Sequence, residues 1–308
     1  MSVIGIEIGG TKLQVVRGEL SGRITERHRA TVDPAAGAAG IQSEIARILA
    51  TLLAATPARA IGVGFGGPVD RDRGRIACSH QVKGWSDFPI SDWLGSLTGL
   101  PVILENDANT ATLGEAHLGA GQGANPVFYV TLGSGVGGGL VVDGAVYHGM
   151  KPGEAEIGHL RLDRSGVIVE QRCSGWAVDR RIREAIQAEP GGALARRAAG
   201  LGRGEALHLA AAVAEQDPLA GRILSETAED LAFALSHVVH LFHPEVIVLG
   251  GGLSLVGEPL RSAVAGMLPR FLMEVFHPGP RIALAALAED PVPVGALLLT
   301  RGLLQDAR

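Results

Sequence analysis

Cysteine is nearly absent: the 308 residues contain Cys78 and Cys173, far apart and without a C-x-x-C pair. Neither a disulfide framework nor a cysteine-based metal site is supported, and a reducing, cytoplasmic setting suits such a chain best. A basic excess is also missing. Lys+Arg 27 stand against Asp+Glu 32, a formal net charge of −5, and no Lys/Arg cluster is interleaved with aromatics. Nucleic acid is therefore not an expected partner. Every long apolar run is broken by Gly, His, Pro or a charge, and the start Met1-Ser2-Val3-Ile4-Gly5 carries no basic leader. Secretion and a membrane span are both unexpected. Only three lysines accompany 24 arginines, a bias of base composition rather than of function. No linker, low-complexity tract or repeat with a period of about 20–50 residues interrupts the chain.

What is present is apolar material, 46% hydrophobic residues against 19% charged. That suffices for two buried cores and suggests about two domains. The organising stretch is Pro101-Val102-Ile103-Leu104-Glu105-Asn106-Asp107-Ala108-Asn109. An apolar run rises from a Gly-Leu-Pro turn as a short strand and stops at two carboxylates and an amide, before a helical pattern over residues 108–117. Asp107 at that point is either the cap of the helix or a group that does chemistry, and the two are compatible.

Residues 3–8 form an apolar run, Gly9-Gly10-Thr11 a turn, and residues 13–16 a second strand. The plan recurs at residues 127–132, Gly133-Ser134-Gly135 and residues 136–142, with Glu7 and Thr131 at equivalent places. Glycine-rich turns let backbone N–H groups approach an anion; singly, each hairpin reads first as an ordinary turn whose glycines supply φ > 0, but the pairing turns the reading toward a polyphosphate grip. Gly133, Gly135 and Gly138, and likewise Gly62, Gly64 and Gly67, satisfy G-x-G-x-x-G, but no helix begins inside either. Lys12, Lys83 and Lys151 lack the glycine that a Walker A lysine follows.

Between the hairpins, Ile41, Ile45, Ile48, Leu49 and Leu52 mark a helix over 40–55, and residues 60–65 a buried strand. Gly66-Gly67-Pro68 then turns at a strand end, where ligands of α/β sheets commonly sit. Trp85 is either a wall of such a site or a plug. Glu156 and His159 lie three residues apart, yet no cysteine or second histidine stands at a ligand spacing, so a hydroxylated ligand suits them better than zinc. Arg180, Arg181 and Arg183 read as a solvated helix face. Asp217-Pro218 starts a long helix that ends at His243-Pro244. Residues 246–249 form a strand closing in Gly250-Gly251-Gly252, where a flat ligand such as a purine, or a tightly packed helix, meets bare backbone. A last strand over 282–287 and a closing helix over 291–304 complete the pattern.

These motifs together resemble the ROK family of repressors, open reading frames and sugar kinases. The resemblance is carried by Gly5-Ile6-Glu7-Ile8-Gly9-Gly10-Thr11-Lys12, Glu105-Asn106-Asp107-Ala108-Asn109, Thr131-Leu132-Gly133-Ser134-Gly135, Glu156-Ile157-Gly158-His159, Val248-Leu249-Gly250-Gly251-Gly252 and Gly295-Ala296, in order and over essentially the full length. It implies an α/β, two-domain actin/hexokinase-like (ribonuclease H-like) fold with a cleft between domains. The first domain is expected over residues 1–118, completed by a helix at 291–308, and the second over 119–290. It implies ATP-dependent phosphorylation of a hexose or amino-hexose, with Asp107 as general base. Gly66, Gly67, Asn106, Asp107, Glu156, His159 and Glu170 would hold the sugar. Gly9, Gly10, Thr11, Lys12, Thr131, Gly133, Ser134, Gly135, Gly250, Gly251 and Gly252 would hold ATP, and Glu7 Mg²⁺, in part through water. A homodimer is expected.

Three departures qualify the resemblance. The family's cysteine-rich zinc loop is missing between His159 and Glu170, so no zinc is expected. Glu7 stands where the family usually has aspartate, and Gln81 where it commonly has asparagine. The rival expectation is a non-catalytic sugar sensor or regulator with a kinase-like fold; the first hairpin begins at Val3, leaving no room ahead for the DNA-binding domain of family repressors.

Overall fold

In the computed structural model, which describes residues 1–33, 35–79, 82–150 and 155–305, the chain divides into two compact units. One is built from Met1–Gln122, Gly139–Glu154 and Leu287–Arg308, the other from Gly123–Gly138 and Ala155–Ala286. Gln81, and Gly153-Glu154 ahead of the E-x-G-H motif, lie outside the described residues.

In the first unit β1 (Ser2–Ile8) and β2 (Lys12–Glu19) pair antiparallel, and β3 (Ile24–Thr31) pairs with β2. Helix α1 (Gly37–Ala55) leads to β4 (Ile61–Phe65), parallel to β1. A ribbon of β5 (Val69–Asp70) and β6 (Arg75–Ile76) precedes α2 (Ile90–Thr98), β7 (Val102–Asn106) and α3 (Asp107–Leu118). Strand β7 runs parallel to β4, giving the order β3-β2-β1-β4-β7. The period of two along β1 and β4 sorts the side chains. Ile4, Ile6, Ile8, Ile61, Val63 and Phe65 join Ile41, Ile45, Ile48 and Leu52 of α1 in one core. By length and composition α1 could cross a membrane, but its apolar stripe is part of this core. Trp85 is a plug rather than a wall: it is 1% exposed and lies edge-on to Phe65 and Phe88, at 5.7 and 5.2 Å.

In the second unit β8 (Val127–Leu132) and β9 (Val136–Val142) carry the second hairpin; the end of β9 and its partner β10 (Ala145–Val146) belong to the first unit. Then come α4 (Val169–Cys173), α5 (Gly175–Ala188), α6 (Ala193–Ala198), α7 (Leu209–Ala214), α8 (Pro218–Phe242), β11 (Val246–Gly250), α9 (Glu258–Met267) and β12 (Arg281–Leu284). Strand β11 lies parallel to both β8 and β12. Asp217 caps α8 by accepting from the Ala220 N–H at 3.0 Å, Pro218 takes the first helical position, and His243 ends the helix in the left-handed region. That is the punctuation the sequence carries.

Two expectations need correction here. The arginine face of α5 is only partly solvated, because a long cation whose stem lies along the protein seeks oxygens at its tip. Arg181 donates to the Ile223 carbonyl at 3.2 Å and to the Thr227 hydroxyl, and Arg183 pairs with the fully buried Glu205 at 2.7 Å. The last strand stops at Leu284, and Leu287 belongs to the first unit, its N–H donating to Glu115 at 2.9 Å.

The final helix, α10 (Pro291–Gln305), also belongs to the first unit and covers the second face of its sheet. That face sets Gly5, Gly18, Gly62 and Gly64 among Val3 and Val16, which pack against Leu297. A Cβ on Gly5 would lie 2.9 Å from the Pro293 carbonyl oxygen, and one on Gly62 would lie 1.9 Å from that of Ala296. The helix backbone therefore rests directly on the strands.

Candidate active site

The parallel strands β1, β4 and β7 end at the same level. Glu7, Gly64 and Glu105 form one cross-strand row and Ile8, Phe65 and Asn106 the next, so Gly9, Gly66 and Asp107 follow just beyond the sheet. The carboxyl ends of parallel strands are where such sheets bind ligands. The approach is close: the Gly66 N–H donates to the Ile8 carbonyl at 2.8 Å, and a Cβ on Gly66 would stand 3.3 Å from Asp107 Oδ2 and 3.6 Å from Gly9 Cα. First hairpin, glycine turn and aspartate thus meet within one residue's reach.

Asp107 is not the cap of α3. The cap is Asn106, whose Oδ1 accepts from the Ala108 and Asn109 N–H groups at 2.9 and 3.2 Å, while its Nδ2 donates to the Gly67 carbonyl at 3.2 Å. An asparagine and an aspartate cap about equally well, so adjacency in the sequence leaves the choice open. Asp107 takes the first helical position, half-buried, with Oδ1 accepting from the Ala108 N–H at 2.8 Å. The Asn106 amide is thereby largely committed to fixing the turn, and one Nδ2 hydrogen remains to face a ligand.

Glu7 is tied on both oxygens, to Lys12 Nζ at 3.1 Å and to Gln14 Nε2 at 2.7 Å. Burial pushes its carboxyl above the usual glutamate value, and Lys12 and Gln14 pull back only in part. Gln14 is fully buried, also donates to the Glu289 carbonyl at 3.1 Å, and accepts from Arg29. Nothing in the sequence singled it out, since its partner lies at the far end of the chain. Among the described residues no three His, Cys, Asp or Glu side chains gather as a metal site. Mg²⁺ keeps several waters and leans on one or two carboxylates plus phosphate oxygens, so Glu7, with lone pairs left beyond its two bonds, fits as a ligand through water.

In the second unit the Gly133-Ser134-Gly135 turn closes through a Gly133 N–H to Gly135 carbonyl bond of 2.9 Å. Glu170 braces it: Oε2 accepts from the Val136 N–H at 3.0 Å, and a Cβ on Gly135 would stand 2.5 Å from that oxygen. The start of α5 docks on the same turn, with the Gly175 N–H donating to the Gly133 carbonyl at 2.8 Å. Ile157–His159 form a single 3-10 turn pressed onto β9, where a Cβ on Gly158 would meet the Val136 carbonyl oxygen at 2.1 Å. Glu156 and His159 flank that glycine, exposed and without side-chain hydrogen bonds among the described residues. They are left able to accept and donate to hydroxyls. At the end of β11 the glycines divide. Gly250 presses on Tyr129 and Gly251, with φ +78, on Leu132, so packing by itself requires glycine at both; a Cβ on Gly252 would meet nothing within 4 Å.

The family model described as "ROK family" matches residues 3–302 of the chain. A glucokinase of Halalkalibacterium halodurans is 31% identical over 307 residues, 95% of this chain and 92% of that protein. A glucokinase of Thermotoga maritima is 29% identical over 304 residues, 96% of each chain. Among solved structures, that of a ROK family glucokinase from Streptomyces griseus in complex with glucose and AMPPNP has a TM-score of 0.85 at 30% identity, covering 98% of this chain and 100% of that one.

Proposed function

Since the chain belongs to the ROK family, has the two-domain actin/hexokinase-like α/β fold and is a sugar kinase, we propose that it transfers the γ-phosphoryl group of ATP to a hydroxyl of a hexose or amino-hexose, with Asp107 as general base. The observation that carries this reading is the convergence of Gly9, Gly66 and Asp107 beyond three parallel strand ends. Phosphoryl transfer asks little covalent chemistry of a protein: it needs alignment, neutralised charge and an acceptor for the hydroxyl proton. Asp107 supplies that acceptor. One of its oxygens is held by the Ala108 N–H and the other is turned toward the Gly66 turn.

The remaining groups are assigned by unit. In the first, the amides of Gly9, Gly10 and Thr11, the Thr11 hydroxyl and Lys12 suit phosphate, and Asn106 with Gly66-Gly67 suits the sugar. In the second, Thr131, Gly133, Ser134 and Gly135 suit phosphate, Gly250–Gly252 the nucleotide, and Glu156, His159 and Glu170 the sugar. Mg²⁺ bound with the nucleotide would neutralise phosphate charge, with Glu7 holding it through water. Glucokinase relatives near 30% identity and a solved relative holding glucose and AMPPNP support a hexose and ATP as the pair to test first.

The test is phosphate transfer from ATP, with polyphosphate as a comparison donor, to a panel of hexoses and N-acetylhexosamines. Turnover of at least one is expected, and replacing Asp107 by Asn should lower kcat by about 100- to 10,000-fold while sugar binding persists. Near-normal kcat in that variant would remove Asp107 as the base. Sugar binding without transfer from any donor would overturn the reading in favour of a sensor.

A further inference from the structure

Glu105, two residues before Asp107, belongs to a hydrogen-bonded chain that the assigned roles leave unused. Its carboxylate is 3% exposed and in the same cross-strand row as Glu7. Oε1 accepts from the Asn106 N–H at 2.9 Å and from Asn109 Nδ2 at 3.1 Å. Oε2 lies 2.6 Å from His148 Nε2, and His148 Nδ1 is bonded to the Arg71 guanidinium. Three separate segments meet there, namely the turn after β5, the end of β7 and the stretch following β10.

The protonation pattern follows from the partners. A guanidinium only donates, so Nδ1 of His148 must accept, and the ring proton sits on Nε2 and points at Glu105. A buried carboxylate needs its charge answered. Here the answering cation is Arg71, acting through a neutral imidazole that donates a short, charge-assisted bond. On its other side the same carboxylate holds the backbone before Asp107 and the side chain of Asn109. Asn109 is 1% exposed, and its Oδ1 has no partner among the described residues, so Glu105 alone fixes that amide.

We infer that Arg71, His148 and Glu105 act as a positioning chain for Asp107: Arg71 orients His148, His148 orients Glu105, and Glu105 fixes the first turn of α3 on which Asp107 stands. The inference rests on the proposed role of Asp107 as base. A misplacement of about 1 Å at a reacting group costs on the order of 100-fold in rate, and outer groups that orient a reacting one are typically worth 10- to 100-fold.

Two substitutions separate positioning from mere stability. His148→Leu removes both bonds, whereas His148→Gln keeps an amide N–H for Glu105 and an amide oxygen for Arg71. In steady-state kinetics with ATP and the accepted sugar, H148L should lower kcat by about 10- to 100-fold with little change in sugar KM, and H148Q should recover most of the loss. Adding R71L to H148L should cost nothing more in kcat, because the two changes break one chain. Thermal melts of each variant give the folded fraction. If H148L lowers Tm but leaves kcat per folded enzyme unchanged, or if the H148L and R71L losses are additive, the positioning chain is refuted. Asp107→Asn is the parallel control. A dead D107N beside a normal H148L sinks this inference alone, while an active D107N sinks the base assignment on which it rests.

Discussion

At the residue scale, burial works against charge at Glu7. Its folded carboxyl titrates above the usual glutamate value because desolvation outweighs the help of Lys12 and Gln14. A group with a raised folded pKa contributes stability that is full below its unfolded value and is lost as pH rises through the folded one. Wild type should therefore lose stability relative to Glu7→Gln across that window, as urea melts from pH 4 to neutrality would show; a constant difference between the two proteins would mean that the burial is not felt. The same physics silences Cys173. Burial first, and Asp230 second, push its thiol up to about 12. Thiolate is the reactive form, so Cys173 should resist iodoacetamide at mildly alkaline pH in the folded protein and react in denaturant, a difference read by mass spectrometry. Alkylation of Cys173 in the folded protein would contradict its buried placement.

At the element scale, what the sequence displays best is local. Both glycine hairpins, the stripe of α1 and the ends of α8 were legible because their signals, namely turn glycines, period and a capping Asp-Pro pair, sit within a few residues of their effect. The cap of α8 has a further use: Asp217 accepts from the Leu194 N–H at 2.9 Å as well as from Ala220, so it also pins the start of α6. Replacing Asp217 by Ala should cost about 0.5–2 kcal/mol, toward the upper end because two elements are released, as the midpoint of a urea melt would report. What stayed hidden depends on residues distant in sequence. Gln14 against Glu289, His148 against Glu105 and Arg183 against Glu205 carry no local mark. The cap of α3 fell one residue early because Asn106 and Asp107 offer the same chemistry, and only the bond from Asn106 to Gly67 decides between them.

At the scale of the whole chain, α10 returns to the first unit, and that return is recorded in glycines. A Cβ on Gly295 of α10 would stand 1.8 Å from the Thr110 carbonyl oxygen of α3, and one on Gly114 would stand 2.3 Å from the Pro291 oxygen. Backbone meets backbone on both sides, so neither helix can yield by rotating a side chain. The same α3 carries Asp107 at its start, and packing there is coupled to the candidate site. Gly295→Ala should therefore destabilise the protein by about 1–3 kcal/mol or more and lower turnover as α3 is displaced. Gly302 lies on the same helix, exposed, where a Cβ would meet nothing within 4 Å. Alanine there should instead stabilise by about 0.5–1 kcal/mol, since it relieves only the helix cost of glycine. Melting the two variants side by side tests the close approach rather than helix propensity: opposite shifts in Tm are expected, and a gain in both would mean that α10 does not rest on α3 through its backbone.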